Sequence, residues 1–575
     1  MENEKRIAIV GGGPSGLFMF KRLVESGSKQ LSITVFERKN KLGAGMPYSN
    51  EGANDEHITN VSSNEIPLLV TTLEDWVKTV PKDTLDKFHL DADKFNSYKV
   101  LPRLLFGQYL TTQFNLLEKK AKEAGVNYEI QYNSSVTDII DNPLQQIVEV
   151  EIANKNKYQF DQVIICTGHN WPVKHEGIIP GYFESPYPPS KLAMRIDHPV
   201  AIKGSSLTAV DAVRTLARYN GTFNKDSQGQ VTYQLLDKNS AFKLVMHTRN
   251  GMLPAVRFHL EDSHLLNDSL LTEEEIAAHI KANDGFLSLD YIFENDFKLP
   301  IKDKEPAFYD KIKNMSLEEF VAAMIALREE MDPFQLLKAE YAEAEKSIKY
   351  KKSVYWKEML GVLSFALNYP AKYLSAEDMQ RLQKTLHPLI SIVIAYIPQS
   401  SSEELIALHH AGVLDLIPVG EDSKAEPETE GGATYHYTDD AGNQQSIYYK
   451  TYVDCVGQPH LEFEEFPFRS LVSGKTLSPA KLKFRSANAA NKAREAGKTV
   501  IQEANGDYYL KVSGITINDH FQVVDEYGAY NERIYIMAVP YIGGYNPDYS
   551  GLDFSEAAST AIIKAIIPKD ETLVA

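Results

Sequence analysis

Three glycines stand at fixed spacing near the start of the chain, Gly11-x-Gly13-x-x-Gly16 in "IAIVGGGPSGLFMF". A residue without a β-carbon lets backbone N–H groups approach a pyrophosphate at a helix N-terminus. In such a loop Gly11 makes the tight turn, Gly13 admits the close approach, and Gly16 lets the helix pack on the strand. Pro14 and Ser15 complete it. The spacing alone is a weak signal, and its surroundings strengthen it. Residues 6–10 read as a buried strand and 17–26 as a helix. A second strand, "SITVFER", ends in Glu37, about twenty residues beyond the last glycine, where a carboxylate binds the ribose of an adenine dinucleotide. Arg38 follows it. A dinucleotide site is expected here.

Other chemistry is poorly provided for. The turn "ERKNKLGAGMPYS" offers Gly43, Gly45, Met46, Pro47 and Tyr48, and no Cys-x-x-Cys. The two cysteines, Cys166 and Cys455, are far apart in apolar runs, so buried thiols are expected and thiol–disulfide exchange is not. The histidines never form His-Glu-x-x-His, and no metal site is expected. His409 and His410 fall in the last turn of a helix before Gly412, where imidazole suits the dipole. A Gly-x-Ser-x-Gly elbow and a Walker lysine are both missing. A cofactor must carry whatever chemistry the protein does.

The elements that position these residues follow from length and period. At 575 residues the chain exceeds a single core. A hydrophobic share of 43% with 24% charged residues is that of a soluble globular protein, expected in the cytoplasm. A net charge of -18 argues against nucleic acid or an anionic membrane as partner. No apolar run reaches the roughly eighteen residues of a membrane span. Strands and helices alternate to about residue 200, as a doubly wound sheet requires. "DQVIICTGHNWP" is a buried strand ending at Gly168, and "TYVDCVGQP" (451–459) repeats that ending. A second nucleotide unit begins at "HPVAIKGSSLTAVDAVRTLARYNG", with Gly204, Ser205, Ser206 and Thr208 in its turn and Ser206 where the middle glycine belongs. No carboxylate closes "FKLVMHTR"; Arg249 stands there instead, which favours NADPH over NADH.

From 258 to 410 the period is helical. Thr272 with Glu275, Ser316 with Glu319, Ser375 with Asp378 and Ser401 with Glu404 are candidate capping boxes, and Asp332-Pro333 an N-cap. Residues 420–434, "GEDSKAEPETEGGAT", read as an acidic surface loop. Near the C-terminus, a strand at 534–539 leads to a Gly543-Gly544 turn. A helix starting near Ser555 follows, with Asp553 either binding a ligand or capping it.

With these motifs, and "HITNVSSNEI", "LEDWV", "PRLLFGQYL", "TRNGMLP" and "YSGLDFSEAA", the chain resembles the FAD/NAD(P)-binding family of bacterial flavoproteins, related to flavin monooxygenases. The resemblance implies an α/β fold of two Rossmann-like units with a helical insertion (258–410). The FAD-binding domain would comprise 1–199 and 461–575, and the NAD(P)-binding-like domain 200–257 and 411–460. It implies that Gly11, Gly13, Pro14, Ser15, Gly16, Glu37 and Arg38 hold the ADP half of FAD. Asn60, Arg103, Val136, Thr167, Gly168, Gly544 and Asp553 would lie along the cofactor, and Gly43, Gly45, Met46, Pro47 and Tyr48 beside the flavin. Gly204, Ser205, Ser206, Thr208 and Arg249 would bind NADPH or NADH. The expected activity is FAD-dependent, NAD(P)H-driven and monooxygenase-like on a small molecule. The alternatives are an NAD(P)H:acceptor flavin reductase and a non-enzymatic FAD-binding protein.

Overall fold

The computed structural model describes residues 4–169, 173–261, 270–368, 370–458, 460–547 and 551–567. Strand β1 (Lys5–Val10) lies inside a six-stranded sheet, parallel to β2 (Leu31–Phe36) on one edge. On its other edge it is parallel to β4 (Gln162–Ile165). Covered on both faces, Ile7, Ala8, Ile9 and Val10 are all buried, which is why the strand reads as an unbroken apolar run. Helix α1 (Pro14–Glu25) starts three residues earlier than expected, because Pro14 is pre-set for the first helical position. Helix α2 (Arg103–Ala124) leads to β3 (Asn127–Gln131), which extends the sheet beyond β2.

The end of the chain completes this sheet. Tyr530–Ile536 runs parallel to β4, pairing Ile534 with Val163, and Gln522–Val524 closes the edge antiparallel. The strand ends before the expected 539, because Val539–Tyr541 turns as a short 3-10 helix around Pro540. The last helix is Leu552–Ile566, starting three residues before Ser555.

A second, all-parallel sheet has β5 (Pro199–Lys203) at its centre, followed by helix α3 (Leu207–Asn220). Strands β6 (Lys243–Thr248) and β7 (Leu414–Pro418) lie to one side of β5. On the other side are β8 (Thr451–Asp454) and the short strand Tyr182–Phe183. Each unit inserts a three-stranded antiparallel meander before its later strand, at 136–160 in the first and 424–449 in the second. The expected acidic loop therefore contains the strand Lys424–Pro427, whose ladder to Ala433–Thr438 outweighs its loop-like composition.

Helices fill the described chain between Glu273 and His410. Thr272 and Ser316 form capping boxes with Glu275 and Glu319, and Ser375 caps through Asp378 N alone. Ser401 does not cap. It lies inside the helix Gln399–His410, and Glu404 pairs with Arg214 and Arg218 instead. The helices serve two cores. Phe297, Phe320, Leu363 and Leu389 belong to the first unit's buried cluster, whereas Phe334, Leu337, Leu405 and Leu408 belong to the second's. Buried ion pairs add to the join, Arg103 of the first unit meeting Asp211 of α3, and Glu65 meeting Arg257.

Candidate functional site

A cleft of about 480 Å³ opens at the C-terminal ends of the first unit's strands and draws its walls from both ends of the chain. Gly11 has a φ of +109°, and a β-carbon on it would sit 2.7 Å from the carbonyl oxygen of Cys166. One on Gly16 would sit 2.0 Å from the carbonyl oxygen of Gly11. These two glycines are required by the fold. Gly13 is different: an added β-carbon meets nothing nearer than the Gly45 Cα at 3.4 Å, and on Gly168 it meets nothing within 4 Å. Both residues line the cleft, so the protein's own packing does not explain them, and close approach of a ligand to the backbone does.

Polar groups along the wall suit a dinucleotide. Gly13 and Gly551 are the N-caps of α1 and the last helix, and neither N-terminus carries a side-chain cap. The two first turns meet at Ser15 and Ser555, whose hydroxyl oxygens are 3.3 Å apart. Two helix N-termini converging on one cleft favour an anion. Glu37 is buried at the end of β2. Its Oε2 accepts from Gly12 N and its Oε1 from Lys39 N, both at 2.9 Å, which fixes the carboxylate at the wall. The hydroxyl of Thr167 is buried in the wall with no hydrogen-bond partner among the described residues, an orphan that a ligand would satisfy. FAD fits this donor set: N–H groups for the pyrophosphate, a carboxylate for the ribose, and a hydroxyl along the chain.

Pro14, Arg38, Gly45, Met46, Pro47, Tyr48 and Val136 also line the cleft. Arg38 is half-exposed at the rim and faces Glu51 at 3.5 Å. Tyr48 packs edge-on against Phe106, and burial pushes its phenol above the ordinary tyrosine range. Besides Gly16, five expected contacts lie off the wall. Gly43, with φ +87°, is needed because a β-carbon would lie 2.5 Å from the Leu110 carbonyl oxygen of α2. Gly544 packs on Val512 and donates its N–H to the Ser513 carbonyl at 2.9 Å. Asn60 offers its carbonyl to Arg257, and Arg103 turns to Asp211 and the Ile58 carbonyl. Asp553 is buried in the first turn of the last helix, its Oδ1 accepting from Phe554 N, while its neighbours Leu552 and Ser555 reach the cleft. Phe468, Met537 and Tyr541 complete the wall, and no local motif marks them.

The second unit repeats the turn. Gly204 has a φ of +105° and presses on the Cys455 carbonyl, as Gly11 presses on that of Cys166. Ser206 is the N-cap of α3 without a side-chain cap, and Thr208 stands in the first turn. Ser205 Oγ donates to the Met252 carbonyl at 2.7 Å, tying the turn to the loop after β6. Arg249 is exposed immediately beyond β6. Both cysteines are buried free thiols in separate units, and burial pushes both thiols up. Among the described residues no cluster of three or more His, Cys, Asp or Glu could hold a metal, and no helix is long and apolar enough to cross a membrane.

Two parallel-sheet units carry matching glycine turns and are joined through a shared helical segment. Residues 8–170 match the FAD-NAD(P)-binding family model, and residues 272–394 match that of the YdhS-like middle domain. The chain is similar to the uncharacterized protein YdhS of Escherichia coli K12, at 28% identity over 479 residues, covering 81% of this chain and 86% of that one. A 173-residue stretch is 30% identical to mouse flavin-containing monooxygenase 1, covering 28% of this chain and 27% of that protein. Among solved structures, ornithine hydroxylase PvdA from Pseudomonas aeruginosa aligns at a TM-score of 0.46 and 12% identity, covering 98% of this chain and all of that one.

Proposed function

We propose that the protein is an FAD-dependent oxidoreductase that draws electrons from NAD(P)H at its second unit and acts as a monooxygenase on a small molecule. The observation that carries this reading is the cleft wall at Gly13, Thr167 and Gly168, where among the described residues neither glycine is required by packing and the buried hydroxyl has no hydrogen-bond partner. The shared stretch with a flavin-containing monooxygenase supports the monooxygenase arm. In this reading the N–H groups of Gly13, Ser15 and Gly16 hold the pyrophosphate, Glu37 and Arg38 the adenosine end, and Met46, Pro47 and Tyr48 the flavin end. When bound, FAD supplies acceptance of a hydride and reaction with oxygen. The backbone N–H groups of Ala44, Gly45, Met46 and Tyr48 provide fixed dipoles that favour negative charge on the ring. The phenol of Tyr48, kept protonated by burial, acts there as a neutral donor. The electrons leave to an outside acceptor, since the chain has only two cysteines, one in each unit and both buried.

The test starts with the chromophore released from denatured protein, which is expected to be FAD. A colourless protein that takes up no added FAD overturns the reading. Anaerobic mixing with NADPH or NADH then follows flavin bleaching. Oxygen uptake and peroxide yield per NADPH oxidised are measured across candidate small molecules. Oxygen uptake indifferent to every candidate favours a reductase, and no bleaching by either nicotinamide favours a flavoprotein without redox turnover.

A further inference from the structure

A second cavity, of about 180 Å³, lies between the helical segment and the C-terminal part of the first unit. It sits behind the last helix: Phe554 and Ala557 face it, while Leu552 and Ser555, on the opposite side, face the cleft. Its walls are apolar, with Ile276, Phe365, Phe521, Ile542, Tyr545 and Phe554. An apolar cavity of about 150 Å³ accepts a benzene-sized body, so the space suits one ring or a branched chain.

One end of this cavity carries a buried acid. Asp296 is only 3% exposed, and among the described residues its carboxylate's sole hydrogen bond is from Leu271 N to Oδ1 at 2.8 Å. It makes no ion pair among the described residues. Lys298, from the same turn, points instead to the carbonyls of Lys313 and Met315 and to Glu294. Lys372 also lines the cavity, but it is paired with Asp519 at 2.5 Å. The other charged groups near Asp296 are Glu273 in the wall and Glu275 on the same helix, both acidic. Asp296 also sits on the π-helical turn Phe293–Lys298, a distortion that is frequent at functional sites. A buried carboxylate without a cation is costly, and burial accordingly pushes this one up to about 6. A cationic ligand removes that cost.

We propose that this cavity binds a small amine with an aromatic or branched apolar body, its ammonium group paired with Asp296. The site requires neither FAD nor turnover, so it stands apart from the redox reading. The test is calorimetric titration of the full-length, FAD-supplemented protein with benzylamine at neutral pH. Benzyl alcohol and benzoate serve as neutral and anionic probes of the same shape. Saturable binding of benzylamine is expected, with benzyl alcohol at least about tenfold weaker and benzoate not bound. Asp296→Asn should weaken benzylamine by about tenfold or more. It should also remove the loss of affinity between neutral pH and about pH 5, which separates Asp296 from Glu273 and Glu275. Ala557→Trp, an exposed position at the cavity mouth, should block binding without touching the acid, and it decides the matter if Asp296→Asn does not fold. No saturation up to roughly 10 mM benzylamine overturns the proposal. Equal binding of the alcohol, or indifference to both variants, overturns it as well.

Discussion

At the scale of single residues, His247 in β6 and Arg249 just beyond it have different tasks. His247 is 1% exposed and stacks on Tyr435 at a ring distance of 4.1 Å, with Tyr437 and Tyr449 edge-on. Burial pushes its imidazole down to about 4 from an ordinary 6.5. Between those values the unfolded chain binds the proton and the folded one does not, so stability is full above 6.5 and falls as the pH drops toward 4. A shift of this size corresponds to about 3 kcal/mol lost across that window. His247→Phe should flatten the acid limb of a denaturant-unfolding series measured against pH. A limb of unchanged slope would place the acid sensitivity elsewhere. Arg249, one residue beyond β6, is exposed, and a guanidinium can hold a phosphate in bidentate fashion. On the proposed function, Arg249→Ala should raise the KM for NADPH about tenfold and leave that for NADH nearly unchanged. Equal losses for both would mean that the residue is structural.

At the scale of the element, β1, its glycine turn and α1 separate folding from binding within six residues. Gly16 lies where a β-carbon would strike the carbonyl of Gly11, whereas Gly13 faces the cleft with only Gly45 at contact distance. Gly16→Ala should therefore cost about 1–3 kcal/mol through overpacking, seen as a lowered Tm. Gly13→Val should leave Tm of the FAD-free protein nearly unchanged while abolishing FAD uptake, measured as absorbance bound after gel filtration. Equal thermal losses in the two variants would make Gly13 a folding glycine. The turn at 43–48 shows the opposite division. Gly43 and Gly107 are both held by contact between the turn and α2, since a β-carbon on Gly107 would fall 2.0 Å from the Tyr48 carbonyl. The helix presses the turn against the cleft from behind.

At the scale of the whole molecule, buried charges lock the two units together. Arg257 and Glu65 are 4% and 5% exposed, and Arg257 also reaches Ser62 while Tyr396 donates to Glu65. Removing one partner of such a pair strands the other, at about 3–5 kcal/mol. Glu65→Gln should lower Tm accordingly, whereas the double change Arg257→Met with Glu65→Leu should recover most of the loss. If the single change costs no more than a surface substitution, the pair does not hold the units. The helical segment contributes to both cores, so it ties the units as a buttress as well as walling the second cavity.

Local information determined a good part of this. The glycine turn, the strand before it, Glu37 at the end of β2, the second turn at Gly204 and the helical period read over 258–410 are each written within about twenty residues, although the first helix of that stretch starts only at Glu273. Hydrogen bonding and apolar period act over that distance. What escaped the sequence depends on partners hundreds of residues apart. Ser15 meets Ser555, Glu65 meets Arg257, and Tyr530–Ile536 joins β4 only once the chain has closed. The same holds where local pattern misled. Lys424–Pro427 looks like an acidic loop until a neighbouring strand supplies its ladder, and Glu404 looks like a capping residue until two arginines claim it. Glycines that read alike divide in the same way: Gly13 faces the cleft while Gly43 and Gly544 face the protein, because only the folded chain decides what stands where a β-carbon would be.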